Sequence, residues 1–251
     1  MLDFSKDCMF DFSTNKVIAH RGASAYAPEN TLTAFDLALA YGAEWIEFDV
    51  MLSKDEEPFI LHDPSLKRTT NGQGILSEVE SSYVKTLDAG NWFSKQYKGE
   101  KVPHLKEVLK WLIFSDVKAN IEIKPCRGFE EKTAVVVLSY LQRYWPSESP
   151  LPLISSFNHE VLTLCRNLSP EAPLGLLVHS WDGAWQKQAE LLNCTTVHMN
   201  QRILNKERAK EVKDAGFQLL SYTVNKRSLA EKLFSFGVDA IFSDYPDLCL
   251  A

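Results

Sequence analysis

Two histidines, three carboxylates and two cations of this chain fall where a fold could gather them around one reaction. Glu47 and Asp49 are two apart in the apolar run Trp45-Ile46-Glu47-Phe48-Asp49-Val50. In an extended strand, residues i and i+2 face the same side, so both carboxylates point one way. Glu122 and Lys124 repeat that spacing in Ile121-Glu122-Ile123-Lys124. Three carboxylates converging in a dry site repel one another strongly. A bound cation removes that cost, and an all-oxygen donor set suits Mg²⁺, Ca²⁺ or Mn²⁺ better than zinc.

His20 and His62 each close an apolar stretch and open a polar turn. A single histidine in such a place is more often a hydrogen-bonded structural group than a catalyst. Two beside a metal supply what general acid–base catalysis needs: one takes a proton from an attacking oxygen, the other protonates a leaving alkoxide. Arg21 and Lys124 are cations suited to a phosphate group. The chain has no GxSxG nucleophile turn and no GxxxxGK[ST] phosphate loop, which argues against a serine esterase of that type and against an ATPase.

The elements that must carry these residues alternate almost from end to end. Strands are predicted at residues 17–20, 45–52, 120–124, 151–156, 174–178, 195–198, 217–224 and 238–242, with a further extended piece at 59–62. Helical spacing falls between them, at 31–41, 105–114, 132–144, 159–168, 185–192, 206–215 and 228–236. Gly42 suits the end of the first helix. About eight strand–helix units imply a parallel sheet and match a (β/α)₈ TIM barrel in a single catalytic domain over residues 1–251. A doubly wound open sheet is the alternative, disfavoured because no GxGxxG follows the first strand. In a barrel the functional residues sit at the C-terminal ends of strands, which is where the acidic and histidine positions fall. Residues 63–103 break the rhythm and are too long for an ordinary loop. They read as an insertion subdomain after the second strand, covering one barrel mouth.

The chain has 251 residues, 45 % hydrophobic and 24 % charged, with a formal net charge of −6. That size supports a substantial core, and the acidic balance argues against nucleic acid as a partner. An anionic substrate stays compatible with it, because a metal reverses the local sign. No apolar run approaches the roughly 18 residues of a bilayer span, so stable membrane insertion is not expected. The start of the chain, with Asp3, Asp7 and Asp11, does not read as a secretory signal. Five scattered cysteines (Cys8, Cys126, Cys165, Cys194 and Cys249) suit reduced thiols in a cytoplasm better than a disulfide framework.

The strings His20-Arg21-Gly22, Pro28-Glu29-Asn30-Thr31, Glu47-Phe48-Asp49-Val50, His62-Asp63 and Glu122-Ile123-Lys124-Pro125 together resemble the glycerophosphodiester phosphodiesterase family. The likeness continues through Ser156-Phe157, Tyr222-Thr223-Val224-Asn225 and Ser243-Asp244-Tyr245-Pro246, and is nearest to its small cytosolic bacterial branch. Where many relatives have tryptophan, this chain has Tyr222. The resemblance implies one divalent cation on Glu47, Asp49 and Glu122, an acid–base pair of His20 and His62, and Arg21 and Lys124 near the phosphate. It also implies that Phe157 and Tyr222 flank the glycerol carbons, although core packing is an equal reading for each. The implied reaction releases glycerol 3-phosphate and an alcohol from a small-molecule glycerophosphodiester. A lysophospholipase D-like activity on the same barrel and a non-catalytic barrel binding phosphorylated ligands are the alternatives.

Overall fold

The computed structural model describes residues 10–249. The stretch before Phe10, with Cys8, Asp3 and Asp7, lies outside the described residues, as do positions 250 and 251. In chain order the elements are β1 (Val17–His20), α1 (Leu32–Ala40), β2 (Trp45–Leu52), β3 (Pro58–Ile60), α2 (Ser81–Val84), α3 (Leu105–Ser115), β4 (Lys118–Ile123), α4 (Glu130–Tyr144), β5 (Leu153–Ser156), α5 (His159–Leu168), β6 (Leu174–Val178), α6 (Trp185–Leu191), β7 (Thr196–Asn200), α7 (Lys206–Asp214), β8 (Gln218–Tyr222), α8 (Arg227–Ser235) and β9 (Ala240–Ser243).

All strands except β3 pair in parallel, and β1 pairs with both β2 and β9. That double pairing closes the sheet into a (β/α)₈ barrel and excludes the open, doubly wound arrangement. Seven helices join the eight barrel strands; among the described residues none follows β9. The extended piece expected at 59–62 is shorter. β3 turns back antiparallel on the end of β2, Val50 opposite Ile60, which leaves His62 in the loop beyond it.

Alternation along the strands divides the core in two. Ile46, Phe48 and Val50 of β2 face outward and pack with Phe35, Leu105 and Leu109 of the surrounding helices. Trp45, on the opposite face, packs inside the barrel with Ile18, Leu153, Leu220 and Phe242. Phe10 and Phe12 close the N-terminal end of that interior against the Trp45 ring, with centroids 4.9 and 5.3 Å away. The long connection after β2 carries its own small core of Phe59, Leu61, Leu66, Leu76, Val84 and Leu87, joined to the barrel through Met51. Its Tyr97 hydroxyl donates to the Tyr26 carbonyl at 2.8 Å. Its Glu100 accepts from the Thr33 hydroxyl at 2.7 Å. These contacts anchor it to the loop after β1 and the start of α1. Gly90 allows the chain to fold on itself there, since a Cβ at that position would lie 1.9 Å from the Tyr97 carbonyl oxygen.

Deeper in the barrel, His198 of β7 is fully buried and has Thr196 Oγ1 2.7 Å from its Nε2. Gly175 of β6 makes room for it, because a Cβ there would lie 2.7 Å from Nε2. Burial pushes this imidazole down to about 3. The folded state therefore keeps it neutral, while the unfolded chain protonates it near pH ~6.5. Between those values the unfolded state holds the extra proton, so this group lowers stability as pH falls through that window. One proton corresponds to a slope of at most about 1.4 kcal/mol per pH unit. Denaturant unfolding at pH 7, 6 and 5 should show a steeper loss for the parent than for His198→Gln. Parallel curves would reject the assignment.

Candidate active site

Strand register builds the site. His20 of β1 lies opposite Glu47 of β2. Asp49 of β2 lies opposite Glu122 of β4. The carboxylates of Glu47, Asp49 and Glu122 each offer an oxygen, all within 4.8 Å of one another. Glu47 and Asp49 are buried. Glu47 Oε1, Asp49 Oδ1 and Glu122 Oε1 have no hydrogen-bond partner among the described residues. Lys124 Nζ stands 3.7 Å from Asp49 and 3.5 Å from Glu122, far enough to act mainly as a charge. Buried oxygens left unpaired on one side of a dry site are costly. Hard-oxygen coordination is the partner they lack, so the three residues fit a divalent cation.

The titration of the cluster says the same in electrostatic terms. Burial foremost, then the charges of Asp49 and Glu122, hold Glu47 well above the usual carboxylate range. Burial and Asp49 push Glu122 up to about 7. Burial opposes ionisation of Asp49 too, but Arg21, Lys124 and His62 outweigh it and hold its carboxyl low. Without a cation, the trio cannot carry three full charges.

The loop after β1 holds this arrangement. Arg21 adopts a left-handed backbone with φ 55°, as does Asn30 with φ 59°. Such residues persist only where their surroundings over-determine them. The turn at Arg21 lets its backbone N–H donate to Glu47 Oε2 at 3.0 Å. Its side chain reaches Glu29 at 2.8 Å and lies 3.3 Å from Asp49. Asn30 donates to Asp49 Oδ2 at 2.9 Å.

Each candidate histidine has one ring nitrogen fixed by a carboxylate. His20 Nδ1 is 2.6 Å from Asp244 Oδ1, and His62 Nδ1 is 2.6 Å from Asp63 Oδ1. The two carboxylates differ in what compensates them. Asp244 accepts from the Ser24 hydroxyl at 3.0 Å and from the Asn225 amide at 2.5 Å. Burial opposes its ionisation, but the bonds to His20, Asn225 and Ser24 bring it down to about 2. Asp63 is held low first by the Arg68 guanidinium. Burial foremost, with the charges of Arg21 and Lys124, lowers His62 and outweighs Asp49 and Asp63.

Eight of the nine residues singled out from sequence line one cavity at the C-terminal mouth: His20, Arg21, Glu47, His62, Glu122, Lys124, Phe157 and Tyr222. Asp49 sits behind them, 1 % exposed. Phe157 and Tyr222 form an edge-to-face pair, centroids 5.7 Å apart, and the Tyr222 hydroxyl donates to the Val178 carbonyl at 2.9 Å. The two aromatics thus supply an apolar part of the cavity lining.

A family model for the glycerophosphoryl diester phosphodiesterase family matches residues 20–248. The chain belongs to the glycerophosphoryl diester phosphodiesterase family. Within it, the chain is 35 % identical over 240 residues to a glycerophosphodiester phosphodiesterase of Caldanaerobacter subterraneus subsp. tengcongensis, covering 92 % of this chain and 94 % of that protein. It is 33 % identical over 246 residues to a glycerophosphodiester phosphodiesterase of Bacillus subtilis, covering 92 % and 84 %. A solved Oleispira antarctica phosphodiesterase, in complex with the product sn-glycerol-3-phosphate, matches with a TM-score of 0.89 at 41 % identity over 92 % of this chain and 94 % of that one. As for membranes, no helix of the described residues is long and apolar enough to cross one.

Four residues that hold the side chains of this site escaped sequence reasoning as participants: Glu29, Asn30, Asp63 and Asp244. A signal existed for Asp244, which follows the last strand at its C-terminal end just as His20 ends the first. Asp63 directly follows His62, but adjacency alone does not say that its carboxylate turns back onto the imidazole.

Proposed function

We propose that this chain hydrolyses glycerophosphodiesters to glycerol 3-phosphate and an alcohol, with His20 and His62 as the acid–base pair. The observation that carries the reading is a pair of imidazoles, each held at Nδ1 by a carboxylate at 2.6 Å, on one cavity with the carboxylate trio. Fixing Nδ1 commits the other edge of each ring to proton transfer, the logic of an oriented acid–base histidine.

Glu47, Asp49 and Glu122 would hold the divalent cation, Mg²⁺, Ca²⁺ or Mn²⁺ by donor type. Such an ion supplies neutralisation of charge on the phosphoryl oxygens. Arg21 and Lys124 add fixed positive charge beside it, and Phe157 and Tyr222 offer the glycerol carbons an apolar wall. His20 takes the proton from the oxygen that attacks phosphorus, either the glycerol 2-hydroxyl or water. His62 gives a proton to the departing alkoxide, so the P–O bond to the alcohol breaks as the new one forms. On the 2-hydroxyl route a five-membered cyclic phosphate results, and water opens it with the roles reversed. The division of labour follows the surroundings. Among the described residues Asp244 is compensated only by neutral donors besides His20, so its charge would stabilise the imidazolium that a base becomes. His62 takes the remaining role, and has to enter the step protonated against the pull of burial, Arg21 and Lys124. The insertion over residues 63–103 reaches the site through Asp63 and Arg68, which supports reading it as the part that shapes head-group preference.

Release of glycerol 3-phosphate from a panel of glycerophosphocholine, glycerophosphoethanolamine and glycerophosphoglycerol tests the reading. Turnover is expected on at least one of them, above that on lysophosphatidylcholine. Turnover on the acylated substrate alone would replace the reading with lysophospholipase D chemistry.

A further inference from the structure

We infer that Arg68, carried by the insertion, is a positioning residue that fixes the His62 imidazole through Asp63 and ties it through Glu29 to the carboxylate cluster. The inference rests on the acid–base reading of His62 above. Arg68 Nε donates to Asp63 Oδ2 at 2.5 Å and Nη2 to Asp63 Oδ1 at 3.1 Å. On its other side Nη1 donates to Glu29 Oε2 at 2.7 Å and Nη2 to Glu29 Oε1 at 2.9 Å. Glu29 Oε1 also accepts from Arg21 Nη1 at 2.8 Å. Arg21 in turn stands 3.3 Å from Asp49. The charges therefore alternate without a break from Asp49 through Arg21, Glu29, Arg68 and Asp63 to His62.

Two features separate this from an ordinary surface ion pair, which contributes little. First, both contacts are forked, and a planar guanidinium held bidentately on two sides has one geometry. Four of its five N–H groups are already spent on carboxylates, which leaves no free fork for a substrate phosphate. Arg68 is thus part of the frame that holds the site and does not grip substrate. Secondly, His62 lies in a loop beyond β3, where no strand register fixes it. His20 ends a barrel strand and is paired in register with Glu47. The histidine without a strand under it is the one given an arginine clamp.

A positioning role differs from a simple staple of the insertion in what it depends on. Arg68→Ala should lower kcat by roughly 10–100-fold, as loss of a partner that orients a histidine does, while KM changes little. Arg68→Lys should recover only part of the rate, since an ammonium cannot fork to both carboxylates. Arg68→Ala should share whatever dependence on leaving-group acidity His62→Ala shows. Placed in a His62→Ala background, it should cost no more than about twofold further, within the error of additivity. Glu100→Ala removes another anchor of the insertion, the one to Thr33, and should leave kcat unchanged. Thermal unfolding of each variant shows that it is folded.

Should His62→Ala itself turn over at the parent rate, the acid–base reading falls and this inference with it. A slow His62→Ala beside a fully active Arg68→Ala overturns the clamp alone. So does a further drop in the double variant equal to the drop in the single one.

Discussion

His20→Ala and His62→Ala should each lower kcat by roughly 10²–10⁴-fold, the usual worth of one positioned proton transfer, with little change in thermal stability. Both rings border the cavity and neither is fully buried, so truncation opens no core void. The double variant should be scarcely slower than the worse single one, because groups that act as a unit are non-additive. Leaving-group chemistry separates the two roles. A substrate that releases an acidic phenol departs with little protonation. It should partly restore His62→Ala, which lacks the acid, and leave His20→Ala slow. The opposite pattern would exchange the two assignments, and parent rates in either alanine variant would overturn the mechanism. Asp244→Asn offers a finer check. It keeps the shape but removes the charge facing His20 Nδ1, and should fall towards His20→Ala in rate.

Removing the divalent cation should abolish turnover, and adding Mg²⁺, Mn²⁺ or Ca²⁺ should bring it back. Glu47→Gln, Asp49→Asn and Glu122→Gln should each cost on the order of 10³-fold. That figure takes several kcal/mol of charge stabilisation at about 1.4 kcal/mol per tenfold in rate. A readout independent of catalysis comes from the apo protein. There the trio is a cluster of carboxylates with unpaired oxygens, and burial and mutual repulsion hold back the ionisation of Glu47 and Glu122, so Glu47→Gln should leave apo stability unchanged or raise it. In the parent, a metal present at 100 times its Kd should stabilise by about 2.7 kcal/mol, and that gain should shrink in all three variants. The three effects should not sum, since they concern one ion. Full activity in a preparation free of metal would remove the cation from the account.

Much of this was legible in the chain because strand geometry is local. The two-residue spacings of Glu47 with Asp49 and of Glu122 with Lys124 state which way those side chains face once the strands are recognised. The alternation of Ile46, Phe48 and Val50 with them states which face meets the helices. What stayed illegible depends on contacts between distant parts of the chain. β3 turned out antiparallel to β2 because a five-residue turn joins them, and an apolar run of that length carries no mark of direction. The aromatic closure by Phe10 and Phe12 follows from where the chain enters the barrel, which periodicity does not encode. Glu29 and Asn30 sit in a loop whose shape comes from left-handed residues, and neither helical nor strand spacing applies there.

The bond between His20 and Asp244 joins positions 224 residues apart. It exists only once β9 has docked beside β1, the step that turns an open sheet into a ring. During synthesis the chain emerges at about 5–20 residues per second, so His20 waits on the order of ten seconds or more before its carboxylate leaves the ribosome. Loop-closure cost rises, if slowly, with the length of chain to be closed, so a pairing across 224 residues is expected among the later contacts to form. If His20 acts as proposed, turnover should report completed ring closure: a barrel still lacking β9 has the carboxylates of β2 and β4 but no Asp244 to hold His20. Recovery of activity after denaturation should lag behind the return of helical signal for the same reason.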